Sequence, residues 1–110
     1  MKISKELLKG TGMTLVLSVL EKEDLYGYRI IRELEMRSET VFSMNEGTLY
    51  PILHTLEAEN YLESYWEEYD GRKRKYYHIT KKGLHALHEK KEEWKVYSDA
   101  VAKVLQFQPG

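Results

Sequence analysis

Apolar residues recur at helical spacing in two stretches near the start of the chain. Between Ile3 and Leu20 they are too dense for one narrow stripe, and this density predicts a largely buried helix. A second helix is predicted from about Tyr26 to Ser38, after a turn in which Asp24 is placed to accept hydrogen bonds from the first amides. The buried face of this helix is predicted to carry Tyr28, Ile30, Ile31 and Leu34.

A third helix is predicted around a run whose apolar residues share one side, namely Leu49, Ile52, Leu53 and Leu56. The pattern leaves the start of this helix open. Asn45 is a good N-cap, and Ser43 with Glu46 matches a capping box. Pro51 in turn is typical of the first turn of a helix. Just before this region, Thr40–Ser43 is β-branched and aromatic, which predicts a short strand.

The second half of the chain predicts a β-hairpin and then a long helix. Aromatic residues crowd Tyr61–Tyr69 and Arg74–Ile79, and Asp70-Gly71 lies between these segments. This dipeptide is a strong hairpin signal, because glycine tolerates the positive φ of a tight turn. Thr80 is predicted to cap a last helix that runs from about Lys81 to Gln106.

The predicted order of elements is helix, helix, short strand, helix, hairpin and long helix. This order is that of a winged helix-turn-helix, a mainly α-helical (α+β) fold with a two-stranded wing. We therefore expect the winged domain at residues 1–80, a dimerisation helix at 81–106 and a frayed tail at 107–110.

Composition narrows the class of protein. The 110 residues are 42% hydrophobic and 32% charged, as expected for one compact domain. The absence of cysteine excludes disulfides, thiolate zinc sites and a cysteine nucleophile. No apolar run is long enough to cross a membrane and no secretory signal is evident, so we expect a cytoplasmic protein. The sequence has no combination of residues that is typical of a catalytic site, so we expect neither an enzyme nor a cofactor.

Charge is unevenly distributed although the formal net charge is only -1. Every charge from Glu57 to Asp70 is acidic, and every charge from Arg72 to Lys82 is basic. A run of this kind can be a solvated hairpin surface, but basic side chains at the hairpin turn can also reach DNA phosphates. We expect this role for Arg72, Lys73, Arg74 and Lys75. An α-helix fits the DNA major groove, where Thr48, Tyr50 and His54 of the third helix would be exposed. Double-stranded DNA is the predicted partner.

Three segments resemble the PadR family of bacterial transcriptional regulators. They are Gly47–Leu53 (GTLYPIL) followed by Leu56-Glu57, Gly27–Ile31 (GYRII), and Gly71–Thr80 (GRKRKYYHIT) followed by Lys82-Gly83. The similarity spans roughly Leu15 to Leu87.

The resemblance implies a homodimeric winged helix-turn-helix, often a repressor, that binds an inverted-repeat operator and in many members is released by a small molecule. It also implies that the recognition helix is continuous from Asn45 to Glu59, with Pro51 inside it. By position, Thr48, Tyr50 and Pro51 fall in the recognition motif and Arg72–Lys75 in the wing. Where the family often has glycine after this helix, the chain has Asn60, which can also adopt a left-handed cap.

The last helix carries an apolar stripe at coiled-coil-like spacing, formed by Leu84, Leu87, Trp94, Val101 and Leu105. So small a domain cannot cover a stripe of this length, and we therefore expect a homodimer. Lys91 and Ser98 interrupt the stripe, so packing against a first helix is expected in addition to a second copy.

Two smaller groups lie on the same helix. Trp94 and Tyr97 suggest the hypothesis of a site for a small aromatic effector, although interface packing is the simpler interpretation of Trp94. His85 and His88 are three positions apart but lack a third ligand, so no metal site is predicted.

Two other functions fit the same pattern. Winged helices can serve as protein-interaction modules without binding DNA, and the aromatic residues of Tyr61–Tyr77 could stack on RNA or single-stranded bases. A steep loss of duplex affinity with salt distinguishes the regulator from the interaction module. A preference for single strands would favour the other alternative.

Overall fold

The computed structural model describes all 110 residues and contains four helices and a three-stranded sheet. The elements follow in the order α1 (Lys5–Val19), β1 (Leu25–Tyr26), α2 (Gly27–Arg37), α3 (Glu46–Ala58), β2 (Leu62–Tyr69), β3 (Arg72–Ile79) and α4 (Lys81–Leu105). The pair α2 and α3 is the helix-turn-helix, and the hairpin β2–β3 is the wing. The predicted winged helix-turn-helix fold is confirmed. No helix combines the length and the apolar composition that a membrane span requires.

The core is built around α1, which packs against α2, α3 and α4. Val16 and Leu17 of this helix are fully buried, so the predicted buried helix is confirmed for its second half, whereas its first turns are exposed, with Leu7 at 63%. Every other helix and the sheet contribute to the same cluster, through Ile30, Leu34, Leu49, Leu53, Leu56, Leu62, Tyr77, Ile79 and Leu87. One core therefore fixes the helix-turn-helix relative to the root of the wing.

The structure decides where α3 starts, which the sequence pattern left open, and it confirms the continuous helix that the family resemblance implies. The side chain of Asn45 caps the helix, because its Oδ1 accepts a hydrogen bond from the N–H of Thr48 at 2.9 Å. The helix continues through Pro51, and Asn60 follows it in the left-handed conformation with φ of 63°. The recognition helix therefore has the extent that the family resemblance implies.

The sheet is antiparallel, with β3 in the centre between β1 and β2. The hairpin turn is Asp70-Gly71, with positive φ of 52° and 75°, as a tight two-residue hairpin turn requires. Side chains alternate between two faces of the wing. The inner face carries Leu62, Ser64, Trp66, Glu68, Lys73, Lys75, Tyr77 and Ile79. The outer face carries Glu63, Tyr65, Glu67, Tyr69, Arg72, Arg74, Tyr76 and His78.

Two short segments differ from the prediction. Leu25–Tyr26 forms β1, whereas Thr40–Ser43, predicted as a strand, has no strand structure. The strand β1 depends on pairing with the distant β3, which a local pattern does not reveal. In the loop, Glu39 and Thr40 have positive φ of 53° and 67°, so the backbone turns instead of extending.

The start of α2 also differs from the prediction. Asp24 does not cap this helix, because the cap position is Tyr26, which makes no side-chain hydrogen bond there. Ile30 and Leu34 are buried as predicted, but Tyr28 is 57% exposed. The buried stripe runs through Gly27 and not Tyr28, since Gly27 lies three residues before Ile30 and seven before Leu34.

The helix α4 projects beyond the domain. The molecule measures 66 × 31 × 21 Å, and its Cα radius of gyration is 16.0 Å, against about 13 Å for a compact domain of this length. Only Gly83, Ala86 and Leu87 of this helix are buried. The prediction that Leu87 belongs to the dimer interface is therefore wrong, because the protomer's own core covers it to 1% exposure.

Candidate nucleic-acid interface

The helix α3 has a buried face and an open face. Leu49, Leu53 and Leu56 are fully buried against the core. At 100° of rotation per residue, Pro51 lies opposite this stripe. Pro51 and its neighbours on this open side, Gly47, His54 and Thr55, are exposed. Thr48 and Tyr50 lie on opposite flanks, so the predicted recognition residues surround one outward surface.

Tyr50 joins α3 to the start of α2. Its side chain is 39% exposed, and its hydroxyl lies only 3.0 Å from where a Cβ on Gly27 would be. The ring carbon Cζ would lie 3.5 Å from the same point. The absence of a side chain at Gly27 therefore allows the tyrosine to lie across the first turn of α2.

Glu57 joins α3 to the inner face of the wing. Its Oε2 accepts a hydrogen bond of 2.8 Å from the hydroxyl of Ser64, and its Oε1 lies 3.9 Å from Nζ of Lys75. These contacts reach both strands of the hairpin. The inner face of the wing therefore faces α3, and the two elements are held as one unit.

The structure separates the four basic residues of the wing into two groups. Arg72 and Lys73 are exposed beside the turn and form no ion pair. Arg74 places its guanidinium 4.4 Å from the centre of the Tyr26 ring, and Lys75 lies beside Glu57. Arg72 and Lys73 are therefore free to meet an anion, whereas Arg74 and Lys75 already have partners.

Asp24 fastens the root of the wing on its outer face. One carboxylate oxygen accepts a hydrogen bond of 2.6 Å from the Tyr65 hydroxyl, and the other lies 2.8 Å from Nδ1 of His78. Burial alone would raise the pKa of Asp24, but the hydrogen bonds from Tyr65 and His78 and the charge of His78 lower it below 3.8. The hydrogen bond that the Tyr65 hydroxyl donates to Asp24 also raises the pKa of Tyr65 to about 12.

Sequence reasoning missed Asp24, Tyr65 and His78 as a group. The residues that Asp24 contacts are 41 and 54 positions away, so no local motif connects them. In the sequence, Glu57 stands out only as part of the Leu56-Glu57 motif. Its position on the edge of the buried stripe is the signal that could have suggested a contact with the wing.

Apart from Leu87, the apolar residues of the stripe on α4 are wholly or partly exposed to solvent. Leu84 is 40% exposed, Trp94 is 48% exposed and Leu105 is 79% exposed, while Val101 is half-buried. The rings of Trp94 and Tyr97 are 6.1 Å apart between centroids and tilted by 39°. An open acidic depression on this helix includes Tyr97 but not Trp94, so one protomer does not form an enclosed aromatic slot.

The two histidines of α4 lie beside glutamates of the same helix. Nε2 of His85 is 3.0 Å from Glu89, and Nε2 of His88 is 3.4 Å from Glu92. No group of three His, Asp or Glu side chains lies close enough together to hold a metal ion.

A helix-turn-helix with an open second helix, and beside it a wing whose second strand carries four basic residues, defines the winged helix-turn-helix class of DNA-binding proteins. Residues 16–89 match the family model described as "Transcriptional regulator PadR-like family", and the chain belongs to this family. It is therefore a transcriptional regulator, which confirms the resemblance seen in its sequence.

Solved structures and a curated relative agree with this family. A transcriptional regulator from Clostridium thermocellum is 31% identical, with a TM-score of 0.84 over 90% of this chain and 97% of that chain. A PadR family transcriptional regulator from Eggerthella lenta is 37% identical, with a TM-score of 0.82 over 94% and 88%. An uncharacterised protein of Lysinibacillus sphaericus is 34% identical over 93 residues, which are 84% of this chain and 85% of that protein. The family and the solved neighbours are regulators, not enzymes.

Proposed function

We propose that this regulator is a homodimeric repressor that binds an inverted-repeat operator in double-stranded DNA. The observation that carries the proposal is the junction of α3 with the inner face of the wing. Glu57 holds the two together, and beside them lie the open surface around Pro51 and the unpaired cations of the wing tip. Because the proposed ligand is chromosomal DNA, we also propose that the protein is located in the cytoplasm.

In this proposal, α3 enters the major groove and the wing lies along the phosphates. Thr48, Tyr50, Pro51 and His54 contact base edges or the groove wall. Arg72 and Lys73 contact phosphates and displace condensed counterions. Arg74 and Lys75 belong to the same interface, but they contribute less because they already have partners within the protomer.

The second copy is proposed to bind along α4. Past Leu87 this helix has no buried residue, and it exposes Trp94, Val96, Tyr97, Val104 and Leu105. Burial of apolar side chains between two copies removes apolar area from water. It also joins two DNA-binding domains, as an inverted repeat requires. Leu84, Trp94, Val101 and Leu105 are the proposed contact residues.

Release by a small aromatic effector is the last part of the proposal. Trp94 and Tyr97 supply the aromatic surface, and a second copy would be needed to enclose it. Candidate aromatics would be titrated against the protein bound to its operator, with Tyr97→Ala as the control, because Tyr97 is not one of the proposed dimer contacts. A compound that releases DNA from the native protein but not from Tyr97→Ala supports the site. If every releasing compound acts equally on both proteins, the site is elsewhere.

The proposed function is tested by selecting bound fragments from genomic DNA and measuring their affinity across salt concentrations. We expect an enriched inverted repeat. Replacement of both Arg72 and Lys73 by alanine should weaken binding to all duplexes about equally. It should also reduce the log-log salt slope by about 0.9 for each phosphate that is no longer neutralised.

The matched control removes two cations from α4, Lys95 and Lys103, by replacement with alanine. It should leave the slope unchanged, because both residues are exposed on the part of α4 beyond Leu87, outside the proposed DNA interface. Equal losses in the two double variants would contradict the placement of DNA. Failure of the native protein to enrich any repeat would contradict the proposed function itself.

A further inference from the structure

Trp66 is a large apolar side chain that the protomer leaves uncovered. It is 67% exposed, although indole is a side chain whose burial would stabilise a small protein substantially. It makes no aromatic contact with another ring, whereas Tyr65 and Tyr76 stack on each other on the outer face. The folded protomer therefore gives no packing reason for a tryptophan at this position.

The position of Trp66 is fixed by the register of the hairpin. Trp66 pairs with Lys75 on the inner face, and the next inner pair towards the turn is Glu68 with Lys73. The preceding inner residue of β2, Ser64, donates its hydrogen bond to Glu57 of α3. Trp66 therefore lies just beyond the point where the wing meets α3, on the face that is turned towards that helix.

The surface around Trp66 is mixed in charge. A shallow depression is lined by Trp66, Glu67, Glu68 and Lys73. Two of the three charged residues in this lining are acidic, and Glu68 lies opposite Lys73, so charge alone does not favour an anion here. An indole adds what charge does not, since its flat face can pack on a sugar and its Nε1–H can donate a hydrogen bond to a phosphate oxygen.

We propose that Trp66 is a DNA-contact residue that packs on the sugar–phosphate backbone beside the groove occupied by α3. This inference rests on the proposed function and deepens it, because it adds an uncharged anchor to the cations of the wing. Trp66 and Lys73 then act together: the lysine neutralises a phosphate and the indole excludes water beside it.

Tyr69 supplies a matched control for this proposal. It is also 67% exposed and lies on the same hairpin, but on the outer face, where it pairs with Arg72. Trp66→Ala should weaken binding to an operator duplex by about tenfold. Tyr69→Ala leaves Trp66 and the inner face intact, so it should weaken binding clearly less than Trp66→Ala does, even though Tyr69 lies beside Arg72.

The salt dependence distinguishes removal of one anchoring side chain from damage to the whole wing. Trp66 neutralises no phosphate, so Trp66→Ala should keep the log-log salt slope of the native protein, whereas Lys73→Ala should reduce it. If Trp66→Ala lowers the affinity and the slope together, the hairpin has been displaced and the proposal is overturned. Equal affinities of Trp66→Ala, Trp66→Phe and the native protein would overturn it as well.

Tryptophan fluorescence can report the proposed contact with DNA while the Trp66 side chain is still present. The chain has two tryptophans, so Trp94→Phe leaves Trp66 as the single reporter. Saturating duplex should change its emission, while Trp66→Phe, which reports only Trp94, should respond much less. An unchanged Trp66 signal with bound duplex would overturn this inference and leave the proposed function intact. A native protein that binds no duplex would overturn both.

Discussion

Tyr50 and Gly27 belong to two motifs that are separated in the sequence but are in contact in the structure. The tyrosine lies on the flank of α3, and its hydroxyl occupies the space that a side chain at position 27 would need. Because the ring is also partly exposed beside the open surface of α3, its position matters both for packing and for the proposed DNA contact. The orientation of Tyr50 is thus set by a residue in another helix.

We expect Gly27→Ala to weaken operator binding by about threefold, because the added methyl lies 3.0 Å from the Tyr50 hydroxyl and displaces the ring. In a Tyr50→Phe background the hydroxyl is absent, and the same substitution should have little further effect. Fluorescence anisotropy with a labelled duplex measures the four affinities of this cycle. Additive losses would contradict the steric link between the two residues.

Asp24 shows that a polar contact can be structural even where the sequence suggests a helix cap. Its carboxylate receives hydrogen bonds from the Tyr65 hydroxyl and the His78 ring, and these hold β2 and β3 against the turn before β1. The charged form is favoured, which is the meaning of the lowered pKa of Asp24. The contact thereby links folding stability to pH.

A group whose pKa falls on folding stabilises the native state above its ordinary pKa, and this contribution is lost as the pH falls through the lower, folded-state pKa. We expect Asp24→Asn to be less stable than the native protein at neutral pH and the difference to shrink below pH 3.8. Denaturant unfolding at a series of pH values measures this difference. A difference that is constant from neutral to acid pH would contradict the assignment.

At the scale of elements, α3 accommodates a proline in its interior. Pro51 has no amide to donate to the carbonyl of Gly47, yet the helix extends from Glu46 to Ala58. Because the proline lies at the centre of the open surface, the missing hydrogen bond and the proposed DNA contact coincide. Such a residue is expected to stabilise the complex at the expense of the free helix.

Pro51→Ala should raise the stability of the free protein by about 1 kcal/mol or more and weaken operator binding, because it restores the amide and removes the ring from the groove. Pro51→Gly restores the same amide with a poorer helix former, so its gain should be smaller. Thermal melts and duplex titrations measure both effects. A lower melting temperature for Pro51→Ala would contradict this explanation of the proline.

The elements with a strong local signal could be predicted from the sequence. A dense apolar run predicted the first helix, apolar stripes predicted the other three, and Asp70-Gly71 with its aromatic flanks predicted the hairpin, whose turn has the expected positive φ angles. The strand β1 could not be predicted, because it has two residues and exists only by pairing with β3.

The candidate site was predicted less completely than the fold. The exposure of Thr48, Pro51 and His54 follows from helical spacing, which a sequence displays. The division of the wing cations into free and engaged residues could not be predicted, because it depends on Tyr26 and Glu57 in other elements. The inner position of Trp66 required the strand register as well.

At the scale of the whole molecule, the apolar stripe of α4 serves two environments. Leu87 belongs to the core of its own protomer, and Trp94 and Val101 continue the same face, seven and fourteen positions later, beyond that core. The sequence pattern shows one continuous stripe because it does not reveal where the domain ends.

Leu87→Ala and Val101→Glu should therefore affect different properties, namely the stability of the fold and the association of two copies. Loss of the buried leucine should lower the stability of the fold by about 2 to 4 kcal/mol, since it leaves a cavity in the core. A charge at Val101 should prevent the proposed dimer from forming and leave the circular dichroism of the protomer unchanged. Sedimentation and denaturant unfolding measure the two properties. A dimer that persists in Val101→Glu would contradict the proposed interface.

The central claim is that two copies of α3, each with its wing, read one duplex. Hydroxyl-radical footprinting of the selected operator tests it most directly. We expect two protected patches related by a two-fold axis, with centres separated by about one helical turn of DNA or a multiple of it. A single protected patch, or protection without symmetry, would contradict the claim.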